Sequence, residues 1–68
     1  MMNWYEVWAD ETHDPPYLLL VRPTGGVYEV LDPAEGGRVA YSSASLEDVR
    51  HWLIADEYTQ VARKMLDD

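Results

Sequence analysis

Asp10, Glu11, His13 and Asp14 crowd into one short stretch, and together they could offer oxygens and an imidazole to a divalent cation. Their spacing matches no metal-ligand pattern, and the Asp-x-Asp-x-Asp-Gly order of a calcium loop is missing. The stretch therefore reads as a solvated acidic loop, although a small metal-dependent enzyme would have to use it. His51 could serve as a base only beside a nucleophile. The chain has no cysteine, and no serine stands in a strand-to-helix elbow flanked by glycines. Gly25-Gly26 and Gly36-Gly37 lack the strand–loop–helix setting and the lysine of a phosphate cradle. Pro15-Pro16-Tyr17 is one residue short of a Pro-Pro-x-Tyr ligand. Trp4 and Trp8 could stack on bases or sugars, but no basic residues flank them. No constellation meets the geometric demands of catalysis. The reading is a non-enzyme with no catalytic residue, metal or cofactor.

Composition narrows the partners. A charge of −8 on 68 residues disfavours nucleic acid and anionic lipid, and suits either a basic protein partner or plain solubility. The lack of cysteine excludes a disulfide framework and fits a reducing cytoplasm. Neither a signal peptide nor an apolar run of membrane-spanning length is present. The length allows one domain, residues 1–68.

The elements that would position any site follow from periodicity and turn residues. Tyr17-Leu18-Leu19-Leu20-Val21-Arg22, closed off by Pro15-Pro16 and by Pro23-Thr24-Gly25-Gly26, has strand length. It does not alternate apolar with polar, so it reads as an inner strand needing cover on both faces. Trp4–Ala9 precedes it as a strand, while Val27–Leu31 and Arg38–Ser42 follow, joined by turns rich in Pro and Gly. Ser45-Leu46-Glu47-Asp48 is a helix start, and Leu46, Val49, Trp52 and Leu53 form its apolar stripe. Beyond Asp56 the stripe is interrupted. The favoured continuation is mostly helix, with Arg63 and Lys64 near its C-terminal dipole, and a last strand over Tyr58–Arg63 is the alternative. The fold expected is α+β: a three- or four-stranded antiparallel meander followed by a C-terminal helix.

In the expected register one sheet face holds Tyr5, Val7, Leu19, Val21 and Val30. The other holds Trp4, Trp8, Leu18, Leu20, Val27 and Leu31. One helix covers one face only, so the second face is either the interface, with those six residues as its candidates, or is covered by the segment after Asp56 folding back or by the sheet curling into a small barrel. The leading expectation is a small acidic interaction module that self-associates or docks on a protein. The alternative is an acidic decoy or inhibitor of a basic, nucleic-acid-binding protein.

The stretches Trp4-Tyr5-Glu6-Val7-Trp8-Ala9-Asp10-Glu11, Pro15-Pro16-Tyr17-Leu18-Leu19-Leu20 and Tyr28-Glu29-Val30-Leu31-Asp32-Pro33 resemble those of small stand-alone bacterial proteins of unknown function. That resemblance covers most of the chain and implies no activity.

Overall fold

A computed structural model describes residues 3–66. Strands β1 (Asn3–Asp10), β2 (Tyr17–Thr24), β3 (Val27–Asp32), β4 (Arg38–Ser43) and β5 (Thr59–Leu66) form one antiparallel sheet. Their order is β4-β3-β2-β1-β5, and helix α1 (Leu46–Ala55) crosses from one edge strand to the other. The α+β class and the antiparallel meander over β1–β4 follow the sequence reading. The position of the helix does not, because it precedes the final strand instead of ending the chain.

Helix α1 begins as its sequence dictates. The Ser45 hydroxyl accepts a hydrogen bond from the Asp48 amide at 3.2 Å, and Glu47 and Asp48 face the positive end of the helix dipole. The stop is less legible. Glu57 adopts a left-handed conformation (φ 68°), its amide donates to the Ile54 carbonyl at 3.0 Å, and the Tyr58 amide donates to the Leu53 carbonyl at 2.9 Å. These are the two bonds of a Schellman cap, made here without the usual glycine. The chain then extends as β5 and pairs with β1 from Asn3↔Leu66 to Ala9↔Thr59. Arg63 and Lys64, expected near a helix C-terminus, therefore sit in a strand.

The core lies between α1 and one sheet face. Val21, Val30, Val49 and Leu53 are fully buried there, with Leu19, Trp4 and Trp8 around them. The helix packs chiefly over β3 and β4. Trp52 lies flat on Tyr41, with ring centroids 4.8 Å apart and planes 5° from parallel. Over β1, where the helix does not reach as fully, the two indoles fill the space. No helix among the described residues is long and apolar enough to cross a membrane.

Because Glu57 carries a side chain in a conformation that favours glycine, Glu57→Gly should raise the unfolding free energy by ~0.5–1 kcal/mol. A urea titration followed by Trp fluorescence measures this, and an unchanged or lowered midpoint would contradict the cap assignment.

Candidate functional site

The two sheet faces are assigned by strand register, since paired residues project to the same side. Trp8 pairs with Leu19 and Glu6 with Val21, which places Trp4, Glu6 and Trp8 on the face covered by α1. This corrects the expected grouping. Trp4 and Trp8 are 8% and 4% exposed and belong to the core, not to an interface. The physical reason is a one-residue difference in the register of β1 against β2, which turns every side chain of the strand over. The other four candidates stay together on the opposite face: Leu18 is exposed, and Leu20, Val27 and Leu31 are half-buried by their neighbours.

Glu6 explains how a charged residue can share a core face with two tryptophans. Its carboxylate is fully buried, accepts a hydrogen bond from the Trp8 indole at 3.0 Å and is bound on its other oxygen by the Arg50 guanidinium of α1. This is a charge-assisted tie between helix and sheet. Arg63, opposite Glu6 on β5, stacks over the Trp4 ring at 4.9 Å, covering the indole where the helix does not.

Seen from its uncovered side, the sheet carries an uninterrupted apolar row. Val39 on β4 pairs with Leu31 on β3, Leu31 with Leu20 on β2, Leu20 with Val7 on β1, and Val7 with Ala62 on β5. Five side chains thus run straight across all five strands. On one side of this row stand Ser42, Glu29, Arg22, Tyr5 and Lys64, with Arg22 and Glu29 in an exposed ion pair at 3.3 Å. On the other side are Leu18, Ala9 and Thr59. A hollow of about 430 Å³ opens at the end of the sheet beside this row, lined by Tyr5, Leu20, Arg22, Thr24 and Leu31 together with Trp4 and Pro23. Sequence reading missed Tyr5, Val7, Val39 and Ala62 as members.

Of the titratable groups singled out earlier, Asp10 and His13 are engaged locally, while Glu11 and Asp14 stand exposed in the loop. Asp10 accepts from the Thr12 amide and hydroxyl, at 3.0 and 2.5 Å, and these bonds hold its carboxyl below the usual range. His13 lies 3.4 Å from Asp10 and beside Tyr17. The Tyr17 hydroxyl donates to both oxygens of Asp32, at 2.9 and 2.8 Å, and its own ionisation is pushed up to about 12 by that bond. Asp32 also caps the turn after β3 through the Ala34 amide. These contacts tie the loop after β1 to the turn after β3, a structural use of side chains with chemical potential. His51 is exposed on α1. No protein-family model, curated protein or solved structure matches the chain.

Removing one member of the buried pair strands the other charge. Arg50→Leu should cost ~3 kcal/mol or more in urea unfolding, and adding Glu6→Leu should recover most of it. A double variant no better than Arg50→Leu would contradict the pairing. The Tyr17 bond also has a pH signature. Its raised ionisation means that the folded state holds the phenolic proton more tightly than the unfolded state. That stabilisation is complete below pH ~10 and fades as pH rises towards ~12. Tyr17→Phe should delete the highest-pH phenolate step in an absorbance titration.

Proposed function

We propose that this chain is a small cytoplasmic protein-interaction module that docks through the sheet face opposite α1. The observation that carries the reading is the row Val39–Leu31–Leu20–Val7–Ala62, apolar across the full width of the sheet and roofed by no described part of the chain. β5 was the segment available to fold over that face, and it extends the sheet instead. Leu18 and Val39, at 46% and 43% exposure, leave apolar surface in water at the margins of the patch.

The decoy reading draws on the −8 charge. Among the described residues the exposed acids Glu11, Asp14, Glu35, Glu47, Asp48, Asp56 and Glu57 are spread over loops, helix and cap, rather than lining the apolar face. Ionic strength separates the two, because an electrostatic complex loosens as salt is added whereas docking on the apolar row holds.

A photo-reactive phenylalanine analogue placed at Leu20 should form covalent adducts in the native cell, while the same group at His51 on the exposed side of α1 should form few. Equal or absent labelling at both positions would overturn docking through this face, and loss of the Leu20 adduct at raised salt would favour the decoy.

A further inference from the structure

We infer that the occupant of the uncovered face is a second copy of this chain, packed against it as a two-layer β-sandwich. The inference rests on the docking reading above and names its partner.

Charge is the first argument. Among the described residues the uncovered face carries Arg22 and Lys64 against Glu29, two cations and one anion, hence +1, on a chain whose total is −8. The exposed acids are elsewhere, on α1 with its cap and in the loops. Two copies of so acidic a chain repel one another across most of their surfaces. Face to face, they meet where each is locally neutral or slightly positive. A strongly basic partner would find no acidic patch here.

Symmetry is the second. β2 is the middle strand of the five, so Leu20 stands at the centre of the apolar row. A two-fold axis lying in the interface through that centre sets Leu20 against its own copy, whether the axis runs along β2 or across it. With the axis along β2, Leu31 faces Val7 of the second copy and Val39 faces Ala62. A larger side chain then meets a smaller one at each place, as interdigitation between sheets stacked ~10 Å apart requires.

The edges supply the third. An acidic module could instead grow by pairing edge strands, but both edges are irregular. Ala40 is an extra residue in β4 opposite the Val30–Leu31 step, and Val61 is an extra residue in β5 opposite Val7–Trp8. Such bulges blunt edge-to-edge pairing, and the Arg63-Lys64 charges on β5 add to that. The face is left as the surface fit for a second copy.

Area sets the affinity. Five strands ~4.8 Å apart and about six residues of ~3.3 Å give a flat footprint of roughly 480 Å² per copy. The pair then buries about 1,000 Å², at the lower bound of specific interfaces, so dissociation in the micromolar range is expected.

The test uses the purified full chain, which has no cysteine of its own. In sedimentation across ~1 to ~200 µM, the wild type should rise from its monomer mass of 7.8 kDa towards twice that. Leu20→Glu should stay monomeric throughout, with its circular dichroism unchanged. Leu20→Cys should be joined into covalent dimers by a short bismaleimide whose reach matches the ~10 Å between packed sheets, and His51→Cys should not. If Leu20→Glu fails to fold, the Leu20→Cys cross-link still decides. A wild type monomeric at ~200 µM, or dimers that form equally through position 51, would overturn the proposal. If the purified chain is monomeric while the cellular adduct at position 20 has another mass, the second copy fails and docking stands. If both experiments are blank, both readings fail.

Discussion

A single short helix lies on a five-stranded sheet, and the rest of the molecule follows from which face it takes. Val49 and Leu53 reach down onto Val21 and Val30, where all four are fully buried. Ten residues of helix span about 15 Å, less than the ~24 Å breadth of five strands. The remaining cover over β1 comes from large side chains of the sheet itself. Trp4 and Trp8 supply volume, Arg63 lies on one indole, and Glu6 meets Arg50 where helix and sheet close together. Burying a carboxylate is costly unless it is paired and hydrogen-bonded, and both conditions are met. The pair thereby discriminates between the two ways of seating the helix, because among the described residues the opposite face holds no buried carboxylate to receive Arg50.

That choice leaves the second face bare and gives it its character. Its central row is apolar from edge to edge, yet the flanking Arg22, Glu29 and Lys64 give it directionality and some protection from indiscriminate sticking. A face apolar throughout would aggregate, and one polar throughout would recognise nothing.

Much of this was legible in the residues. Gly25-Gly26 and the Pro33–Gly37 turn delimit β2, β3 and β4, although Pro23 and Thr24, expected in the first turn, are the last two residues of β2. Ser45 with its acidic first turn announces α1, and each of these signals is a local interaction encoded within a few positions. Two things were not. The helix ends on Glu57 in a left-handed conformation, a position that ordinarily advertises itself by glycine, so the interrupted stripe after Asp56 fits a rotated helix as well as a break before a last strand, and the helix is the favoured continuation. The register of β1 depends on how the Asp10–Tyr17 connection closes, and a loop of that length does not specify parity by its composition. Both Trp4/Trp8 and Tyr5/Val7 look fit for a core. The deciding residue was Glu6, which reads as a solvent marker in isolation and becomes intelligible only with Arg50, far away in the chain. Non-local pairing of this kind is where pattern reading along a sequence stops.

The pairing of β1 with β5 has a consequence for how the molecule comes into being. β1 leaves the ribosome before the other described strands, and the neighbour that completes its outer side is the last of them to emerge. Until then Trp4 and Trp8 have only β2 beside them, and before α1 follows β4 they have no helix above either. Contacts so distant along the chain form late and slow the search for the native state. The nascent chain should therefore spend part of its synthesis with both indoles uncovered, a stage at which chaperones have more to grip than the finished domain presents.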